Sequence, residues 1–198
     1  MSLPPSDDNK HGEPSTTAGD KRILRRSLLK LRSDIHPDVR KYFDQKISEQ
    51  VSKYLKSFTF PTLGVYLPIR NEPELDILYT GLSTKMALSL PITSGKEQPL
   101  QFVRWSPGDE LIVGDYGIAV PKELNPVPMP AAMLIPCVGY TKNRFRLGYG
   151  GGFFDRTLAL YPQTHKIGVA YSCLATAFDA EENDIPLDCV ITEQGIVL

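Results

Sequence analysis

The stretch from Arg146 to Arg156, RLGYGGGFFDR, constrains this chain more than any other part of it. Its four glycines within five positions let the backbone approach a ligand closely and adopt conformations that side chains forbid. An apolar run at 133–138 precedes the stretch and a helix-like segment at 153–160 follows it. We therefore predict a strand, a glycine-rich loop and the start of a helix, whose free amides favour an anion.

Charged side chains bracket this loop. Arg146 enters it with a guanidinium fork suited to phosphate oxygens, and Asp155 leaves it with a carboxylate. We interpret the loop as a cradle for a polyphosphate with a metal-binding carboxylate at its edge; a tight turn that needs glycine for packing is the alternative. Two common nucleotide loops do not fit, because no Gly-Lys-Ser/Thr closes this one and no acidic residue follows the apolar run at 167–171.

Composition narrows the class of protein. A net charge of -1 over 198 residues provides no global basic field, so we expect neither nucleic acid nor an acidic membrane surface as a partner. No apolar run is long enough to span a bilayer. We expect residues 1–20 to be a disordered tail without the features of a signal peptide, and residues 21–198 to form a single α/β domain.

The cysteines predict a reducing compartment. Cys137, Cys173 and Cys189 show no paired spacing and stand in apolar surroundings, so we expect them to be reduced core residues. A cysteine-based metal site is not expected. We predict a cytoplasmic protein, which we expect to be a monomer.

The first helix is predicted at about 21–32, with Thr17 or Asp20 as its cap. Placing residues at 100° steps defines its faces. The predicted buried stripe consists of Leu24, Leu28, Leu31 and Ile35. The basic residues along the flank of this stripe are Lys21, Arg25 and Arg32. Lys21 and Arg25 are placed to reach an anion on a neighbouring loop, although a solvated basic helix explains them equally well.

Further helices and strands alternate along the chain. Pro37 suits the first turn of a second helix, in which Val39, Phe43, Ile47, Val51 and Leu55 recur every four residues. A short third helix is indicated by Leu75, Leu78 and Leu82. Strands are predicted at 63–67, 86–90, 101–105, 111–113, 118–120, 133–138, 167–171, 189–192 and 195–198. This alternation favours a mostly parallel sheet covered by helices on both faces.

Two residues outside the glycine-rich loop are candidates for ligand contact. Glu72 lies in the connection after the first predicted strand, and open α/β sheets bind ligands beyond the carboxyl ends of their strands. Trp105 offers a flat surface to an aromatic ligand, but a place in the core is as plausible.

The loop sequence resembles the Arg-x-Gly-x-Gly-x-Gly-aromatic-aromatic-Asp signature of the 5-formyltetrahydrofolate cyclo-ligase family, also called methenyltetrahydrofolate synthetase. Supporting matches occur in the family's order over about 21–197. They are Lys-x-x-x-Arg at Lys21 and Arg25, Asn71-Glu72, Gly117-Ile118 and Asn183-Asp184.

The resemblance implies a three-layer α/β fold similar to sugar-phosphate isomerases and coenzyme A transferases. It also implies an enzyme that couples ATP hydrolysis to closure of 5-formyltetrahydrofolate into 5,10-methenyltetrahydrofolate, with Mg²⁺ as cofactor. Phosphoryl transfer to the formyl oxygen, followed by attack of the neighbouring folate nitrogen, needs no protein nucleophile. An ATP-dependent enzyme acting on another formyl or amide substrate, or a non-catalytic nucleotide-binding module, is the alternative.

Site residues follow from matching positions. The ATP site is expected to comprise Lys21, Arg25, Arg146, Leu147, Gly148, Tyr149, Gly150, Gly151, Gly152, Phe153 and Phe154. The cationic side chains that serve the reaction itself are expected to be Arg146, Lys21 and Arg25. The expected folate contacts are Leu67, Glu72, Trp105, Tyr149 and Phe153. The expected Mg²⁺ ligands are Asp155 and Asp184.

The chain departs from the family pattern at a few positions. The aromatic pair is Phe153-Phe154, where the family most often has at least one tyrosine, so a hydroxyl contact is absent there. Val120 stands where an acidic residue commonly precedes proline, and Leu174 stands where a glutamine is frequent.

Overall fold

The strand β7 (Ala132–Pro136) is buried on both of its faces. Ala132 and Leu134 belong to an apolar cluster that residues of the first three helices complete, whereas Met133 and Ile135 pack in a second cluster with the fourth helix. Alternate residues of a strand point to opposite faces of a sheet. The sheet therefore lies between two helical layers, and the predicted covering of both faces is confirmed.

The computed structural model describes residues 18–198. Its helices are α1 (Ala18–Ser33), α2 (Pro37–Leu55), α3 (Asp76–Ser83) and α4 (Phe153–Leu160). Besides β7, its strands are β1 (Thr62–Gly64), β2 (Ala87–Ile92), β3 (Gln101–Arg104), β4 (Leu111–Val113), β5 (Ala119–Pro121), β6 (Pro126–Val127), β8 (Gly139–Tyr140), β9 (Arg146–Leu147), β10 (His165–Val169), β11 (Cys189–Thr192) and β12 (Gly195–Val197). None of the helices within this part of the chain is long and apolar enough to cross a bilayer.

The central sheet is mixed and mostly parallel. Its eight strands follow the order β12-β11-β10-β7-β1-β2-β3-β6. The strands from β11 to β2 run parallel to one another, and β3, β6 and β12 add antiparallel edges. Two short hairpins, β4–β5 and β8–β9, stand apart from this sheet. The carboxyl ends of β1, β2 and β7 consequently meet at one edge, which is where open α/β sheets bind ligands.

Several helical expectations need correction. Helix α1 begins at Ala18 rather than at Lys21, so part of the expected tail is helical and Asp20 lies in the first turn instead of capping it. Thr17 and the rest of the expected tail lie outside the described residues. Leu31 and Val39, both expected in the core, are each 44% exposed.

Arg32, which the sequence predicts on the flank of the α1 stripe, is buried instead. Arg32 is 0% exposed, and its guanidinium has hydrogen-bond acceptors from three other segments of the chain. A buried polar group is tolerated where it is paired. Sequence periodicity could not show these acceptors.

The cysteine prediction holds for two of the three positions. Cys137 and Cys189 are buried free thiols, whereas Cys173 is exposed. Cys173 lies in the short 3-10 turn Ser172–Leu174, in which Leu174 rather than the cysteine points into the core. The expectation of a buried Cys173 was wrong.

Candidate active site

A cleft of about 850 Å³ opens at the carboxyl ends of β1, β2 and β7. Its walls come from the chain that follows these strands, from the amino-terminal half of α1 and from the loop between β9 and α4. The predicted site residues that line it are Lys21, Arg25, Leu67, Glu72, Arg146, Leu147, Gly148, Tyr149, Gly150, Gly151, Gly152, Phe153, Phe154, Asp155 and Asp184. The structure thus brings together residues from nearly the whole length of the chain.

The glycine-rich loop starts from a two-stranded hairpin and ends at a helix. Strand β9 pairs with β8 through Gly139 and Leu147, and α4 begins directly after Gly152. Gly150 and Gly152 have φ of +97° and +67°, a region that favours glycine. A Cβ at Gly152 would lie 2.6 Å from a guanidinium nitrogen of Arg156. At these positions the loop needs glycine.

Arg146 lies beneath this loop. It is 8% exposed, and its Nη2 donates to the Asp155 carboxylate at 2.8 Å. The guanidinium also stacks over the Phe154 ring, 5.2 Å from its centroid. Its buried Nε has no hydrogen-bond partner among the described residues. Arg146 therefore presents a fixed positive charge and an unused donor beside the loop.

Two cations of α1 reach the same cleft. The Lys21 ammonium lies 3.0 Å from carboxylate oxygens of both Glu181 and Asp184. Burial acts to lower the pKa of Lys21, but the hydrogen bonds and charges of these two carboxylates outweigh it and raise the pKa. Arg25 donates through Nε to the Gly148 carbonyl at 2.8 Å. The flank of the helix predicted to reach a neighbouring loop does so.

A different set of side chains forms the far end of the cleft. Glu72 is 3% exposed and accepts from the Tyr149 hydroxyl at 2.6 Å and from the Ile69 amide at 3.0 Å. Burial raises the pKa of the Glu72 carboxyl above its usual range, while these hydrogen bonds and two arginine charges oppose the rise. Tyr149 thus connects the glycine-rich loop with a buried carboxylate.

A model of the 5-formyltetrahydrofolate cyclo-ligase family matches residues 17–193. The chain belongs to this family.

Relatives and solved structures extend the match over nearly whole chains. The 5-formyltetrahydrofolate cyclo-ligase of Mycoplasma pneumoniae is 28% identical and covers 88% of this chain and 99% of its own. That of Escherichia coli K12 is also 28% identical, with 83% and 96% covered. The solved 5,10-methenyltetrahydrofolate synthetase of Aquifex aeolicus is 31% identical over 89% of this chain and 91% of its own, with a TM-score of 0.72. The Mycoplasma pneumoniae synthetase structure gives a TM-score of 0.73.

Trp105 is the one residue of the predicted site that does not line the cleft of this family member. It is 5% exposed and packs edge-on against Tyr79, with ring centroids 6.0 Å apart. Its backbone amide donates to the Leu88 carbonyl at 3.1 Å, which extends the β2–β3 pairing. The pairing carries the indole into the core, so its assignment to the folate is wrong and its alternative core role is correct.

The positions that depart from the family pattern have separate surroundings. Phe153 and Phe154 lie under guanidinium groups, of Arg156 and Arg146 respectively, each 5.2 Å from a ring centroid. Val120 lines the cleft, whereas Leu174 is fully buried in the core. The two phenyl rings therefore support arginines, which needs no hydroxyl.

Sequence reasoning missed Tyr116 and Arg70 as cleft residues. Tyr116 stands in the turn of the β4–β5 hairpin, has φ +56°, and meets Phe153 edge-on at 5.8 Å. Arg70, with φ +48°, places its guanidinium 5.4 Å from the Tyr149 ring centroid. Two short apolar runs separated by Gly-Asp-Tyr-Gly predict a hairpin, and that was the available signal for Tyr116.

The two carboxylates expected to hold a metal both line the cleft. Asp155 is paired with Arg146, and Asp184 with Lys21. Within residues 18–198 no group of three or more histidine, cysteine or acidic side chains is arranged to hold a metal ion alone. The donor set suits Mg²⁺, which is commonly bound through one or two carboxylates together with substrate phosphates.

Proposed function

We propose that this chain catalyses the ATP-dependent closure of 5-formyltetrahydrofolate to 5,10-methenyltetrahydrofolate, with release of ADP and phosphate. The observation that carries the proposal is that the glycine-rich loop and the buried Glu72 line one cleft and are joined by Tyr149. Relatives over nearly the full length of the chain bear the name of this ligase. Both substrates would lie within the same cleft.

The triphosphate belongs at the loop in this proposal. Arg146, Lys21 and Arg25 supply three positive charges there, and the loop amides near the start of α4 supply neutral donors. ATP contacts extend along the loop to Phe153 and Phe154. Alignment and charge neutralisation are the main demands of phosphoryl transfer, and this group of side chains meets them.

The Mg²⁺ ion that the family implies would be held by Asp155 and Asp184. Each of these carboxylates is half-buried beside a cation. The carboxylate would bind the metal while the neighbouring cation binds the phosphates. Bound there, Mg²⁺ would neutralise phosphate charge. Arg146 and Lys21 hold the two carboxylates in place through the ion pairs described above.

The folate belongs at the other end of the cleft. Glu72 accepts hydrogen bonds, and the ring nitrogens of a pterin can supply them. Leu67, Tyr149 and Phe153 provide apolar and aromatic surface around this end. The pterin would thereby be oriented with its formyl group toward the phosphates.

The chemistry requires no nucleophile from the protein. The γ-phosphoryl group moves from ATP to the formyl oxygen and leaves ADP behind, so that the formyl oxygen can depart as part of phosphate. The neighbouring folate nitrogen then attacks the formyl carbon and loses its proton, and the carbon–oxygen bond breaks to release phosphate. The protein holds the reacting groups in line, which is the main source of rate in such reactions.

The decisive experiment follows the absorbance of methenyltetrahydrofolate with purified protein, 5-formyltetrahydrofolate and MgATP. We expect product only when all components are present, in stoichiometry with ADP. ATP binding without turnover would instead indicate a non-catalytic nucleotide-binding module. ATP hydrolysis with another formyl or amide compound, but not with 5-formyltetrahydrofolate, would indicate a different substrate.

We also propose that the enzyme works as a monomer in a reducing compartment. The buried free thiols of Cys137 and Cys189 support work in a reducing compartment such as the cytoplasm. We expect a monomer that needs neither nucleic acid nor membrane, and light scattering coupled to size exclusion measures the oligomeric state directly.

A further inference from the structure

Arg32 is among the largest fully buried side chains of the described residues. A buried guanidinium cannot be deprotonated in a protein, so its charge must be met by acceptors. No carboxylate forms an ion pair with it among the pairs in residues 18–198. Its acceptors are neutral oxygens, and each belongs to a different segment near the cleft.

The first two contacts tie α1 to the chain that follows β1 and to the residue directly after β7. Nε of Arg32 donates to the Arg70 carbonyl at 3.0 Å, and Nη1 donates to the Cys137 carbonyl at 3.4 Å. Arg70 and Asn71 both have positive φ, at +48° and +62°, a conformation that costs energy for residues other than glycine. Arg32 therefore holds the strained turn that delivers Glu72.

The third contact leads to the carboxylate itself. Nη2 of Arg32 donates to the Tyr149 hydroxyl at 2.6 Å, and that hydroxyl donates to Glu72 at 2.6 Å. The donor and acceptor roles in these two hydrogen bonds are determined by chemistry, because a guanidinium only donates and an ionised carboxylate only accepts. Tyr149 consequently has one orientation of its hydroxyl hydrogen, toward Glu72.

We propose that Arg32, which does not line the cleft, is a positioning residue for folate binding: it aligns Glu72 and Tyr149 and keeps Glu72 a hydrogen-bond acceptor. The inference rests on the proposed function, since it assigns Glu72 to the folate. We expect Arg32 to act on the folate end, because it meets the glycine-rich loop only through the Tyr149 hydroxyl and forms no hydrogen bond with Lys21, Arg25 or Arg146.

Electrostatics of the surroundings support this role. Burial raises the pKa of Glu72, and the hydrogen bonds from Tyr149 and Ile69 and the charges of Arg32 and Arg70 work against that rise. The other titratable side chains that interact with this carboxylate are Tyr66, Tyr79 and Cys137. Burial raises the pKa of each of these three groups, so the neighbouring positive charge comes from the arginines.

The test compares Arg32→Lys with Tyr149→Phe. Lysine keeps the charge but offers a single compact donor in place of the guanidinium fork, and phenylalanine removes only the bridging hydroxyl. For each variant we expect the Kd for 5-formyltetrahydrofolate to rise about tenfold while the Kd for MgATP stays within about twofold. Calorimetry on the full chain measures both constants without relying on turnover.

A pH profile separates positioning from simple support of the fold. Folate affinity that needs ionised Glu72 is present above the pKa of this group and is lost as pH falls through it. Arg32→Lys displaces the cation and Tyr149→Phe removes a donor, so each change raises the pKa of Glu72 further. The acid limb of folate binding should move to higher pH in both variants. If Arg32 only supported the fold, its replacement would lower the melting temperature but leave this acid limb at the wild-type pH.

The matched control is Arg26→Lys, the same substitution at an exposed position of α1, which should leave both affinities and the pH profile as in the wild type. The inference is overturned if both test variants keep wild-type folate affinity, or if both ligands weaken equally. Should Arg32→Lys fail to fold, Tyr149→Phe decides, because Tyr149 is 36% exposed. A wild-type protein that binds no 5-formyltetrahydrofolate overturns the proposed function as well.

Discussion

At the scale of single residues, the proposed phosphate end of the cleft depends on Arg146. Its guanidinium is held by Asp155 on one side and by the Phe154 ring on another. A side chain held in this way loses little conformational entropy when a ligand arrives. Its buried Nε has no hydrogen-bond partner among residues 18–198. We expect a phosphate oxygen to accept a hydrogen bond from it.

Replacing Arg146 by lysine should therefore impair the binding and use of ATP much more than the binding of folate. We expect kcat/KM for ATP to fall about a hundredfold, because lysine cannot form a bidentate contact and cannot stack on Phe154 in the same way. The Kd for 5-formyltetrahydrofolate should change by less than about twofold. Steady-state kinetics and calorimetry measure these quantities. Arg22→Lys, at an exposed position of α1, is the control. Equal loss of affinity for both ligands would contradict the assignment of Arg146 to ATP.

Asp155→Asn tests the metal at the same scale. The change removes a hard anionic ligand while keeping the shape of the side chain, so the Mg²⁺ concentration for half-maximal ATP binding should rise about tenfold. Asp34→Asn alters a carboxylate in an exposed ion pair with Lys30 and should not change the titration. An unchanged Mg²⁺ requirement in Asp155→Asn would remove Asp155 from the metal site.

At the scale of elements, the loop between β9 and α4 works because its backbone takes conformations that side chains disfavour. Gly152 precedes the first residue of α4 in the left-handed region, where an L-residue costs about 1–2 kcal/mol. Gly148 and Gly151 are also close-packed, against Arg146 and Phe153 respectively. The loop therefore keeps its shape next to the arginines that surround it.

Glycine-to-alanine substitutions should have opposite effects in two elements. Gly152→Ala introduces a Cβ 2.6 Å from Arg156 at a positive φ, and we expect it to lower the free energy of unfolding by about 1–3 kcal/mol and to weaken ATP binding. Gly81→Ala adds a Cβ that meets nothing within 4 Å inside α3, and it should stabilise the protein by about 0.5–1 kcal/mol. Urea unfolding followed by circular dichroism measures both; stabilisation by Gly152→Ala would refute the loop geometry.

At the scale of the whole molecule, the cleft joins distant parts of the chain. The hydrogen bond from Lys21 to Asp184 spans 163 positions of sequence, and Arg25 meets the glycine-rich loop at Gly148. A ligand at these groups would bridge the first helix, the loop and the segment before β11. Its binding energy should consequently stabilise the entire described fold.

MgATP should therefore raise the melting temperature of the full chain. At about one hundred times its Kd, a ligand adds about 2.7 kcal/mol of stability, which corresponds to about 5 to 10 °C for a chain of this size. Differential scanning calorimetry with and without MgATP measures the shift, and Arg146→Lys should reduce it at the same MgATP concentration. A melting temperature that MgATP leaves unchanged would contradict nucleotide binding in the cleft.

Local sequence was sufficient for those features that depend on neighbouring residues. Helix α4 begins and ends at the predicted residues, β11 matches its predicted range, and the glycine-rich loop lies where its composition indicated. The buried run at 133–138 predicted the core of β7 for the same reason, since apolar residues on both faces require a doubly covered strand. Backbone preference and apolar pattern are properties of short segments, so they can be read without the fold.

Other features were settled only when distant segments packed together. Arg32 is buried and Leu31 is exposed. The sequence could not show this, because the acceptors of Arg32 lie 38 to 117 positions away. Trp105 entered the core through its pairing with β2, and Tyr116 reached the cleft through a hairpin turn. Burial of a polar or aromatic side chain depends on the partners it finds, and a linear pattern does not contain those partners.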